Sequence, residues 1–134
     1  FIANIGEIEE KLATGKKNVL LLTEPLCELP VREKIFRDCI DLYGQIEGEE
    51  SVILIKPHPR DLLNYEEKFS EHIVLDRKFP MEVLNFIEGL TFRRVISVFT
   101  VVRNIRFAEE TVYLGEDFMD KYEDPKLHRQ NEEI

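Results

Sequence analysis

The residues best suited to chemistry are six in a row, Lys56-Pro57-His58-Pro59-Arg60-Asp61. Each proline fixes its own φ and pushes the residue before it toward extended backbone. The imidazole of His58 is therefore offered from a stiff loop, with a cation on either side. It donates two hydrogen bonds when charged and one when neutral. A neighbouring phosphate favours the charged form, because the opposite charge stabilises it. His58 thus reads as a group that steadies a departing phosphate or hands it a proton. The plainer account is a structural His satisfied by backbone. Lys56 and Arg60 either add phosphate contacts or are spent on Asp61 and solvent.

Two further loops carry suitable groups. Thr23-Glu24-Pro25-Leu26-Cys27-Glu28 holds two carboxylates. Glu24 or Glu28 can serve as a general base toward a hydroxyl. Either can equally be a loop acid favoured near a helix N-terminus. Ser97-Val98-Phe99-Thr100 places two hydroxyls where a helix cap and an anion site coincide. In Phe79-Pro80-Met81-Glu82, a helix start, Glu82 can hydrogen-bond a sugar or a base. Neither G-x-G-x-x-G nor G-x-x-x-x-G-K-[ST] occurs, so a phosphate must be held by side chains and helix N-termini. Cys27 and Cys39 lack metal-ligand spacing and are too few for a disulfide framework. Cys39 reads as a core thiol, and Cys27 as a loop residue without a His partner nearby in sequence. Such cysteine usage fits a reducing cytoplasm. His72 and His128 read as surface residues.

These loops need strands to carry them. Asn18–Leu22, Ser51–Ile55, Ile73–Leu75, Arg94–Val98 and Thr111–Leu114 are short apolar runs of the kind that form buried parallel strands. Helical spacing alternates with them. Ile2, Ile5, Ile8 and Leu12 form one stripe. Pro30 opens a second helix with Val31, Ile35, Cys39, Leu42, Tyr43 and Ile46 on one face and Gly48 as its stop. Asn64–Phe69 is a short helical piece. Pro80 opens another helix, with Met81, Leu84, Ile87 and Leu90 on one side. Ile105 and Ala108 are at helical spacing, and the acidic tail after Gly115 predicts a helix and a loose end. Alternating strands and helices imply parallel pairing through right-handed crossovers. The expected fold is α/β, one Rossmann-like domain over residues 1–134 with about five parallel strands. In such sheets ligands bind beyond the carboxyl ends of the strands, where the three loops fall.

The chain has 134 residues, 18 basic and 27 acidic, for a net charge of −9. That argues against a nucleic-acid binder, which shows a basic face. It leaves room for an anionic ligand in a local basic pocket. The acids gather at Glu47–Glu50 and in the tail, as solvated surface. No apolar stretch approaches the ~18 residues of a transmembrane helix, and no signal peptide is expected. The chain begins at Phe1 and reads as a piece of something longer.

Three motifs in order resemble one family: Lys56–Asp61 after its strand, Phe79-Pro80-Met81-Glu82-Val83-Leu84-Asn85-Phe86 opening a helix, and Ile96-Ser97-Val98-Phe99-Thr100 at a strand end. They resemble bacterial sialyltransferases of the lipooligosaccharide type, glycosyltransferase family 52, and the related capsular polysialyltransferases. Leu21–Leu26 is similar to the opening strand and loop of their nucleotide-binding half. The likeness covers residues 18–115. It implies a GT-B-type enzyme of two Rossmann-like domains, with this chain as the C-terminal, donor-binding half. It implies CMP-sialic acid as donor substrate, no cofactor and no metal, and inversion at the anomeric centre with a carboxylate as base. It implies that the His-Pro motif, His58 and Pro59, contacts the donor phosphate, and that Ser97 and Thr100 bind the same phosphate. Here the two hydroxyls are not consecutive, so one of them can be a helix cap alone. The glycan acceptor belongs to the half this chain lacks, so the chain by itself is expected to be inactive. A base within this chain would be Glu28 or Glu24.

Two rivals stand beside that reading. GT-B folds also serve transferases and epimerases that use UDP-sugars. An α/β sensor or interaction module such as a receiver domain needs a paired acidic cluster, and the first loop offers Glu24 without one. A homodimer is open to all three. The expected location of the parent protein is the cytoplasm, with a peripheral position at the inner face of the membrane open to it.

Overall fold

A computed structural model describes residues 18–80, 82, 84, 91–100 and 108–122. Five strands form one sheet: β1 (Asn18–Leu22), β4 (Val52–Lys56), β5 (Ile73–Val74), β6 (Arg94–Ser97) and β7 (Thr111–Tyr113). All neighbours pair in parallel, in the spatial order β5-β4-β1-β6-β7. Counted along the chain, these five strands run 3-2-1-4-5, the Rossmann order. The fold is α/β and Rossmann-like, as the alternation of strands and helices predicts. The order reverses between β1 and β6, and that switch point is where such sheets open a crevice at their carboxyl edge.

Composition explains the middle of the sheet. Every residue of β1 is buried, because Val19 and Leu21 face one side and Leu20 and Leu22 the other. Val19, Leu21, Ile53, Ile55 and Ile96 pack with Ile35, Phe36 and Cys39 of α1 (Leu29–Tyr43). The same layer takes in Tyr65 of α2 (Tyr65–Lys68) and Phe118 and Met119 of α3 (Gly115–Met119). On the opposite face Leu20, Leu22, Leu54, Leu75 and Val95 pack with Leu84 and Phe92. Burial lifts the Cys39 thiol to about 12, as befits a core thiol.

Three expectations change. The inner face of α1 is Arg32, Ile35, Phe36 and Cys39, whereas Leu42 is 58% exposed. The apolar stripe predicted through Leu42 is thus rotated, because Arg32 and Phe36 take inward positions. The helix also ends at Tyr43, where the Gly44 N–H donates to the Ile40 carbonyl at 2.7 Å. A Cβ on Gly44 would meet that carbonyl oxygen at 2.4 Å. Ile46 therefore belongs to a hairpin of β2 (Gln45–Ile46) and β3 (Glu49–Glu50). Its turn is Glu47 and Gly48, both with positive φ (55° and 79°), as a two-residue primed turn demands. Finally, Ala108 pairs with Phe92 in a parallel bridge instead of continuing a helix. The predicted helix over residues 2–12, most of the one after Pro80, residues 101–107 and the tail beyond Tyr122 lie outside the described residues. Among the described residues, no helix is long and apolar enough to cross a membrane.

Candidate functional site at the carboxyl edge of the sheet

The loops after β4, β1 and β6 lie on three adjacent strands. The loop after β4 is wound tightly around His58. The His58 N–H donates to the Thr23 hydroxyl at 3.2 Å, and the Asp61 N–H donates to the His58 carbonyl at 2.9 Å. The Arg60 N–H donates to Nδ1 of the ring at 3.0 Å. The ring nitrogen left to donate is therefore Nε2. Partial burial, followed by the charges of Arg60 and Lys56, holds the imidazole below its usual pKa. Both effects favour the neutral ring with its proton on Nε2, where the sequence alone favours a charged ring beside a phosphate.

The flanking cations go elsewhere. The Lys56 ammonium is buried and donates to the carbonyls of Pro57 and, at 3.0 Å, Arg77. Desolvation lowers it to about 8, opposed by the charges of Asp76 and Glu82. It faces the end of β5 and meets neither Asp61 nor open solvent. Pro59 and the Arg60 side chain are exposed, and so is Glu82.

Asp61 is fully buried and pairs with a residue that the sequence reading passes over. Arg32 Nη1 donates to Asp61 Oδ1 at 2.9 Å. The same guanidinium donates through Nε to the Leu26 carbonyl and through Nη2 to the Cys27 carbonyl, each at 2.8 Å. Arg32 thereby clamps the loop after β1 to the loop after β4. Cys27 sits within that clamp at φ 55°, a left-handed conformation uncommon outside glycine. A charged residue three positions before Ile35, on the inner face of an otherwise apolar stripe, was the available signal for it.

The two candidate bases differ. Glu24 is buried, and its Oε2 accepts the Phe99 N–H at 2.9 Å. Burial raises its pKa, while the amides of residues 98–100 and the Thr100 hydroxyl, hydrogen-bonded to the carboxylate, pull it down. Glu24 therefore ties the loop after β1 to the loop after β6, across the switch point. Glu28 stands exposed at the N-cap of α1 and makes no side-chain cap bond. Ser97 is buried and donates its proton to the Thr100 carbonyl at 2.6 Å, so the hydroxyl is spent within its own loop. His72, read as a surface residue, is partly buried beside Glu71, and His128 lies outside the described residues.

Along this edge hydrogen bonds join His58 and Asp61 through Thr23, and separately join Glu24 to the loop that holds Ser97 and Thr100. A cavity of about 490 Å³ lies on the β5 side, lined by Pro57, Leu63, Tyr65, Asp76, Arg77 and Lys78. His58 and the Ser97–Thr100 loop do not line it.

No protein-family model matches the chain. No solved structure matches it either. A curated protein of Haemophilus influenzae, described as an uncharacterized protein, is 38% identical over 86 residues. The match takes in 60% of this chain and 26% of that protein. The chain therefore spans about a quarter of the relative it matches.

Proposed function

We propose that this chain is the donor-nucleotide-binding domain of a sialyltransferase-like glycosyltransferase of the inverting, metal-independent kind. The parent enzyme would work in the cytoplasm with CMP-sialic acid as donor and a surface glycan as acceptor. One observation carries the reading. His58 and the Ser97–Thr100 loop flank the first strand of a 3-2-1-4-5 parallel sheet, at its carboxyl edge, where nucleotides bind in such folds. The His58 and Ser97–Thr100 loops, which carry two of the motifs of the resemblance, lie at the edge where such folds open their ligand crevice.

The geometry sharpens the roles. With Nδ1 accepting from Arg60 N–H, the His58 ring offers Nε2–H to a phosphate oxygen. As the bond from the anomeric carbon to that phosphate breaks, the group gaining negative charge is held by this donor. The acceptor hydroxyl forms the new bond and passes its proton to a carboxylate. Glu28 suits that role better than Glu24, because Glu24 is engaged with the Phe99 N–H.

Titrating the protein with CMP and with UDP tests the reading. CMP should bind more tightly than UDP. His58→Ala should weaken CMP by about tenfold or more, as expected for a hydrogen bond to a charged group. UDP preference would favour the UDP-sugar rival, and unchanged binding in His58→Ala would remove His58 from the site.

A further inference from the structure

We propose that Asp61, acting through the Thr23 hydroxyl, is the positioning group that holds the His58 backbone from which the ring is presented. The role in phosphate binding rests on the reading of His58 given above; the relay itself does not.

Four donors converge on the fully buried Asp61 carboxylate. Thr23 Oγ1 donates at 2.7 Å and Tyr65 OH at 2.5 Å, both to Oδ2. Arg32 Nη1 at 2.9 Å and the Leu63 N–H at 3.2 Å donate to Oδ1. A carboxylate has about four lone-pair sites, so its capacity is filled. Burial and the adjacent carboxylate push the Tyr65 phenol well above its usual range, so it stays a donor.

Thr23 has a single hydroxyl proton, and Asp61 takes it. The oxygen is left as an acceptor, and the His58 N–H donates to it at 3.2 Å. Asp61 also reaches His58 from the other side, through its own N–H to the His58 carbonyl at 2.9 Å. The Arg60 N–H then holds Nδ1. His58 is thus held at its amide, its carbonyl and one ring nitrogen, and no described residue takes up Nε2–H.

A buried ion pair is by itself weak evidence for a stabilising role, since apolar residues of the same volume often serve as well. What apolar residues cannot do is set the direction of the Thr23 hydroxyl. An amide at position 61 would point donors as well as acceptors at Thr23 and Tyr65. A residue without a hydroxyl at position 23 would leave the His58 N–H without its acceptor.

Thr23→Val tests the relay, because it keeps the shape of the side chain and removes the hydroxyl. Thr23→Ser restores the hydroxyl, and Thr23→Ala serves if the valine variant does not fold. Two quantities are read: the hydrogen-exchange rate of the His58 backbone amide and the dissociation constant for CMP. The valine variant should exchange the His58 amide at least about tenfold faster, with β1 and β4 amides unchanged. It should bind CMP about tenfold more weakly, and the serine variant should recover both. Unchanged protection of His58 in the valine and alanine variants would overturn the relay. Protection of His58 lost in the valine variant without any change in CMP affinity would overturn the positioning role. If the native protein binds neither CMP nor UDP, the functional reading fails while the exchange rates still decide the relay.

Discussion

At the scale of single residues, two titrating groups at the carboxyl edge behave in opposite ways. His58 has a depressed pKa, from burial and from the charges of Arg60 and Lys56. A base that binds its proton less tightly when folded contributes stability that is whole above the unfolded value of 6.5. That contribution is lost as pH falls through the depressed folded value. An NMR titration should give His58 an apparent pKa below 6.5 in the free protein. A value above it would mean that the ring works charged. Glu24 has a raised pKa, chiefly from burial. A carboxyl that holds its proton more tightly when folded contributes most below its unfolded value of 4.5. Its contribution declines as pH rises from there through the raised folded value. Glu24→Gln removes the titration and keeps an oxygen for the Phe99 N–H. The urea midpoint of the variant relative to the native protein should therefore rise between pH 4.5 and neutrality. A gap that does not move with pH would contradict this.

Helix α1 is the element that joins the site to the core. Its first inward residue, Arg32, holds the loop after β1 and the loop after β4 together, and the next inward residues pack under the sheet. Arg32→Ala strands the Asp61 carboxylate in the interior, and removing one partner of a buried pair costs about 3–5 kcal/mol. Denaturant unfolding should show that loss, and a loss below 1 kcal/mol would mean that Asp61 finds another partner. The rotated inner face makes a second test. Phe36→Ala should destabilise by about 3–5 kcal/mol. Leu42→Ala should stay within about 0.5 kcal/mol, as exposed positions do. Equal costs at the two positions would restore the stripe through Leu42. Leu42 and Phe36 each lie three residues from Cys39, on opposite flanks of the stripe, so spacing alone admits either. Only the sheet beneath the helix decides which of them faces inward.

For the molecule as a whole, the class of fold was legible along the chain. Runs such as Val19-Leu20-Leu21-Leu22 and Ile53-Leu54-Ile55 have no polar face, so they are stable only with both sides covered. Prolines and glycines bound them, and helical spacing lies between. Those local facts dictate a parallel α/β sheet and place the loop at Lys56–Asp61 beyond a strand end. The strand order is not local. Which of β4 and β6 lies on each side of β1 depends on how the crossovers pack, and that order creates the switch point. Partners within the site are equally non-local: Arg32 and Asp61 are 29 residues apart, and Glu24 and Phe99 are 75 apart. No spacing rule reaches that far, because such pairs are set by which strand ends become neighbours. The sequence by itself determined that His58 is offered on a stiff loop at the end of a buried strand. Tertiary structure alone decided that Lys56 turns away to backbone carbonyls, that Asp61 is claimed by Arg32, and that Glu24 ties the switch point together. The physical reason is desolvation. Once a strand end is buried, each charged or polar group there must find a partner, and the fold determines which partners are within reach.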